Sequence, residues 1–161
     1  MTVSAIRRKF AIRTLTGFPK AAIRLGLLLG LLGGCQVEPE PIAYGSDACH
    51  FCRMTIVDQQ HGAEMVTRKG KVFKFDAVEC LLNHLREVDT QSVALYLVNT
   101  YTRPGELTDA TGVTYLVSEG IPSPMGEFLT AFENQMDALD AVEKHGGDVY
   151  SWADIRNRFN Q

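Results

Sequence analysis

The sequence predicts an α+β domain made of two small ββαβ units packed into one body. Two observations carry this. Strand-type alternation and helix-type periodicity follow one another in the same order twice, strand–strand–helix–strand, with Phe75 and Phe132 each ending a strand just before a helix. Each unit alone is also too small to bury a sheet face, so the two are expected to pack together.

The first unit covers about 54–100. Met54-Thr55-Ile56-Val57 reads as a short apolar strand. Ala63–Arg68 and Lys71–Phe75 flank Lys69-Gly70 and read as a hairpin, the second arm alternating as a half-buried strand should. Asp76 stands at a helix N-cap position with Glu79 three residues on, close to a capping box. The helix it would open runs from Ala77 to Val88, with Val78, Leu81, Leu82, Leu85 and Val88 as one apolar stripe. Val93–Val98 is the next strand.

The second unit covers about 110–155. Val113–Ser118 and Phe128–Phe132 are its strands. Between them lies Gly120-Ile121-Pro122-Ser123-Pro124-Met125-Gly126, a loop stiffened by two prolines. Asn134 can cap a helix over Gln135–Lys144, with Met136, Leu139 and Val142 expected on its apolar side. Gly146-Gly147 stops it, and Asp148–Trp152 is the last strand.

Ahead of the domain, residues 1–34 read as a secretory signal. Six basic residues and no acid precede the apolar run Leu25–Leu32, which is about half the ~20 residues a membrane-spanning helix needs. Leu32-Gly33-Gly34-Cys35 resembles the bacterial lipobox. That resemblance implies cleavage before Cys35, diacylglycerol on its sulfur and an acyl group on its new amine, and several acyl chains anchor firmly. Residues 35–46 would be a lipidated cysteine and a Pro-rich tether of at most roughly 35 Å, and 47–161 the domain proper. After Cys35 the net charge is −9, from 10 basic and 19 acidic residues. Such a chain is a poor nucleic-acid binder, because phosphate contacts need clustered Lys and Arg. It suits attraction of cations or of a basic partner surface.

The chemistry concentrates in Cys49-His50-Phe51-Cys52-Arg53-Met54. Two thiols, an imidazole and a thioether within six residues favour Cu(I) over hard cations. A C-x-x-C pair alone leaves a zinc knuckle, a redox dithiol and a disulfide open; Met54 sharpens the reading, since thioether sulfur is a weak ligand for Zn(II). With Cys35 lipidated, three cysteines remain, an odd number that no pure disulfide framework uses up. Met125 is held at a fixed place by its prolines, as a further sulfur donor or as core filler. Cys80 and His84, i and i+4 on the first helix, share a face off the apolar stripe. They could complete a Cys3His zinc site with Cys49 and Cys52, but the simpler expectation is a semi-buried thiol and a solvated imidazole. His61 and His145 sit beside glycines and read as local turn or cap residues. No G-x-S-x-G, P-loop, dinucleotide fingerprint or C-x-x-C-H pattern occurs. An exported thiol oxidoreductase using Cys49 and Cys52 would need a helix N-terminus at the motif, where the sequence reads as entry to a strand.

The lipobox Cys35, the Cys49–Met54 cluster, and Ser123-Pro124-Met125-Gly126 followed by Ala131-Phe132 and His145-Gly146-Gly147-Asp148-Val149 together resemble the NosL family of copper-binding lipoproteins. The similarity runs over about Asp47–Ile155. It implies a fold of two ββαβ units related to organomercurial lyase. It implies a carrier of Cu(I), not an enzyme, facing the periplasm from a lipid anchor in the outer membrane of a Gram-negative cell. It implies nitrous oxide reductase as client, served with a membrane ABC-type complex. On this reading Cys52 and Met54 bind Cu(I), Met125 approaches from the Pro-rich loop, and Cys49 or His50 supplies an exchangeable ligand. Arg53 departs from the family pattern, which usually has Gly there. The carbon–mercury chemistry of the related lyase does not follow from shared fold.

Overall fold

In a computed structural model, residues 36–160 are described; the signal segment and Cys35 lie outside them. Seven strands and three helices follow in order. They are β1 (Ala63–Thr67), β2 (Val72–Phe75), α1 (Val78–Leu85), β3 (Val93–Thr100), β4 (Arg103–Asp109), β5 (Thr114–Val117), β6 (Leu129–Phe132), α2 (Gln135–His145), β7 (Asp148–Tyr150) and α3 (Trp152–Phe159). The fold is α+β, with two antiparallel sheets of order β2-β1-β3-β4 and β6-β5-β7. In both, the first strand in sequence lies in the middle and a helix connects the two strands beside it.

The first sheet is organised by β1, buried along Ala63–Val66 because strands flank it on both edges and α1 covers a face. Its partners β2 and β3 hold Phe75 and Val98 opposite Ala63. Helix α1 packs against β1, β2, β6 and α3, so it lies between the two sheets. This decides the fate of side chains off its apolar stripe: Glu79, Cys80 and His84 are buried along with Val78, Leu81 and Leu85. The main core runs continuously from both sheets through α1 to Ile155 of α3, and a smaller cluster of Leu116, Ile121, Phe132, Ala138 and Ala141 lies under α2.

Several sequence expectations change. Met54–Val57 is not a strand: Thr55 makes a single bridge to Ala48, and Ile56 alone of the four is buried. Asp76 does not cap α1. The N-cap is Ala77, with no side-chain bond, because Asp76 and Glu79 are both drawn into the interior between the sheets. Helix α2 buries Ala138 and Ala141, and leaves Met136 73% and Leu139 47% exposed, so its apolar side is not the one expected. The small alanines let the helix sit close on the three-stranded sheet. The Asn134 cap and the Gly146 stop are as read: Asn134 accepts from the Asp137 N–H, and Gly146 takes φ 71. Two elements lie where none was expected. β4 contains Pro104 and Gly105, tolerable because it is an exposed edge strand. α3 begins at Trp152, capped by a reciprocal Ser151–Asp154 box, so Trp152 opens a helix and does not end a strand.

Candidate metal centre

The cluster rests on a short loop closed on itself. The Cys49 N–H donates to the Met54 carbonyl (2.8 Å) and the Arg53 N–H to the Cys49 carbonyl (3.1 Å), while Ala48 bridges Thr55. The turn closes through Arg53 at φ 68, in the left-handed region that L side chains avoid. This is the position where the resembled family usually has Gly, and Gly enters that region without a Cβ clash. The loop is fastened to β2 by the His50 N–H donating to the Lys74 carbonyl (2.8 Å). Lys74 in turn donates to the carboxylate of Asp47 (2.8 Å) and the carbonyl of Pro41 (2.8 Å). The segment from Glu40 to Asp47 therefore lies against the domain: the Glu40 N–H donates to Glu64, and Ile42 is buried.

Cys49, Cys52 and Cys80 converge. Their three Sγ atoms lie within 4.8 Å of one another, and all three are free. Cys49 and Cys80 are fully buried and Cys52 is half-buried, so the group has a closed floor and one open side. Thiol donation from Cys80, then the main-chain N–H groups of Asp76 and Cys52 and the Cys52 thiol, hold Cys49 well below the usual thiol range against the cost of its burial. Cys80 is pushed far up by donating to Cys49 and by burial. Cys52 is raised chiefly by burial. Of the three, Cys49 is thus the thiol that gives up its proton most readily. A soft cation bound there would take the sulfurs as thiolates and release their protons, with three sulfurs within 4.8 Å of one another to draw on.

The other predicted residues divide. Met54, 48% exposed, stands at the loop's outer side. His50 is outside the sulfur group; its ring packs on Phe73 (centroids 4.6 Å) and His84 (5.0 Å). Burial, then the charges of Arg53 and Lys71, lower its pKa, which favours the neutral ring. The expectation of a solvated His84 fails. It is buried against His50, Phe73 and Phe75, its Nε2 has no partner, and burial lowers its pKa too. Met125 is partly buried against the main core. Its loop is tied to α1 by Ser123, whose hydroxyl donates to Glu79, the neighbour of Cys80; Glu79 also accepts from the Leu129 N–H (3.4 Å). His61 is buried and bonds Asp58 and Thr130, crossing to the second sheet. In the sequence Cys80 reads only as part of a zinc site, set aside in favour of a semi-buried thiol; the structure puts it in the sulfur group. Its signal was the i, i+4 pairing with His84; the burial that brings it to Cys49 is tertiary.

The chain has relatives. A sequence profile of the NosL family matches residues 42–159. The copper-binding lipoprotein NosL of Stutzerimonas stutzeri is 30% identical over 151 residues, spanning 84% of this chain and 80% of that protein. The crystal structure of the copper chaperone NosL from Shewanella denitrificans shares the fold, with a TM-score of 0.64 over 73% of this chain and 95% of that one, at 22% identity.

Proposed function

The chain belongs to the NosL family, and on that premise we propose that it is a lipid-anchored periplasmic carrier of Cu(I). The family's named members are a copper-binding lipoprotein and a copper chaperone. The observation that supports Cu(I) as cargo is the three-sulfur group of Cys49, Cys52 and Cys80, two of them buried and one half-exposed. Soft donors in low number suit Cu(I), and the open side by Cys52 lets an incoming donor add before an outgoing one leaves. Met54 is the exchange ligand at that side. Met125 and His50 are further donors that approach when the metal is bound.

The anchor is Cys35, supported by the lipobox and by the relative's being a lipoprotein. No helix among the described residues is long and apolar enough to cross a membrane. The client is nitrous oxide reductase, served with a membrane ABC-type complex, and the anchor sits in the outer membrane facing the periplasm; the family resemblance supports these readings.

Anaerobic titration of the reduced domain against a Cu(I)-selective chelator tests the cargo. About one Cu(I) is expected, held far more tightly than Zn(II). Zn(II) binding as tight as Cu(I), with all three cysteines and His84 required, would instead establish a Cys3His zinc site. For the anchor, Cys35→Ser should release soluble chain or leave uncleaved precursor; processed, membrane-bound Cys35→Ser protein contradicts it. For the client, deletion should leave the reductase short of copper in otherwise normal cells.

A further inference from the structure

The acidic balance of the chain is not shared by the face that carries the copper loop. Between Arg53 and Lys74 stand five of the ten basic residues that follow Cys35, Arg53, Arg68, Lys69, Lys71 and Lys74, against two acids, Asp58 and Glu64. Glu64 is buried, and Lys74 is paired with Asp47. Arg53, Lys69 and Lys71 are exposed, and none joins an ion pair among the described residues.

These charges frame the copper loop. Lys71 Nζ lies 4.4 Å above the Phe73 ring, and Phe73 packs on His50 at 4.6 Å. Arg53 and Lys71 both act electrostatically on His50. Lys69 occupies the β1–β2 turn just before Lys71. On the same loop Met54 and Val57 are 48% and 66% exposed. The sulfur site therefore opens beside Arg53, Lys69 and Lys71, none of them ion-paired, with Glu87 the one exposed carboxylate that acts on His84 there, on a molecule whose remainder is strongly negative.

We infer that this face docks an acidic surface of a copper-exchanging protein partner, with Arg53, Lys69 and Lys71 meeting carboxylates and Met54 and Val57 meeting the partner's own metal loop. The inference rests on the carrier reading above. Ligand exchange needs the partner's donor within bonding distance of the metal, so the partner must cover this rim. Complementary charge there speeds encounter and sets orientation, and the acidic remainder repels the same partner from wrong approaches.

Two synthetic peptides test it, each with one Met-x-x-Met Cu(I) site, flanked by Asp and Glu in one and by Lys and Arg in the other. Stopped-flow transfer from the copper-loaded protein should be roughly tenfold or more faster to the acidic peptide at low salt, with the gap closing at high ionic strength. Lys69→Glu/Lys71→Glu should remove the gap, and the charge-matched Lys144→Glu/Arg158→Glu should keep it. NMR titration of the metal-free domain should place the acidic peptide on Arg53, Met54 and Lys71. Equal transfer to both peptides overturns the inference while leaving the carrier reading intact. Acidic-peptide binding here without any Cu(I) uptake does the reverse. Binding of phosphatidylglycerol vesicles through Lys69 and Lys71, with no preference between peptides, overturns it in favour of a membrane surface.

Discussion

Arg53 shows how one backbone angle shapes the site. At φ 68 a side chain with a Cβ costs about 1–2 kcal/mol, and Gly gives back part of that through unfolded-chain entropy. Arg53→Gly should therefore stabilise the apo domain by about 0.5–1 kcal/mol, a rise of a few degrees in Tm by calorimetry. Arg53→Val should lower it. The departure from the family's Gly was legible in the sequence; its meaning was not, because no pattern of residue types encodes the sign of φ at one position. Cys80 repeats the lesson. Its spacing to His84 could be read, but its stripe position argued for partial exposure. The thiol is buried only because α1 lies between the sheets. Since Cys80 is the leading donor to Cys49, Cys80→Ala should raise the Cys49 pKa, seen as thiolate ultraviolet absorbance that appears only at higher pH.

At the scale of elements, boundaries set by local chemistry were readable and those set by packing were not. The Asn134 cap and the Lys69-Gly70 turn depend on neighbours in sequence. The Asp76–Glu79 box looked similar, yet both residues have tertiary roles, Asp76 through its main chain and Glu79 through its carboxyl. Asp76 lends its N–H to Cys49, and Glu79 holds Ser123 in the Met125 loop. The Ser151–Asp154 box was present in the sequence and opens α3. The Glu79–Ser123 tie makes a prediction at this level. Ser123→Ala removes a partner from a buried carboxylate and should cost about 1–3 kcal/mol. The loss should appear as faster amide exchange across residues 118–128 before the rest of the domain, whereas uniform loss would show the tie to be incidental.

Over the whole molecule, acids are buried that burial opposes, one of them under the Glu40–Asp47 segment on the opposite face of β1 from Ala63 and Met65. Glu64 sits on β1, fully buried, with one oxygen unpartnered, and burial raises it to about 7 from 4.5. Raised in the fold, it favours the folded state most below the unfolded value, and that contribution is lost as pH rises from about 4.5 through about 7. The swing is on the order of 3 kcal/mol. Urea midpoints should fall across this window, and Glu64→Gln should flatten the fall; an unchanged profile would place the carboxyl's charge in solvent. The α+β class and the runs β1–β2–α1–β3 and β5–β6–α2–β7 were readable because periodicity is local, whereas the absent Met54–Val57 strand, β4 and α3 were not. The charge asymmetry was hidden, because a net charge of −9 says nothing about which face carries it.

The central claim is that Cys49, Cys52 and Cys80 together receive Cu(I). Sulfur-ligand counting by X-ray absorption on the anaerobically loaded domain, with Cys80→Ser beside the wild type, tests it most directly. Cu(I) held by these three residues gives a copper edge of the Cu(I) type with a sulfur-dominated first shell, and one sulfur fewer in Cys80→Ser. A shell of nitrogen and oxygen, or a sulfur count unchanged by Cys80→Ser, would contradict it.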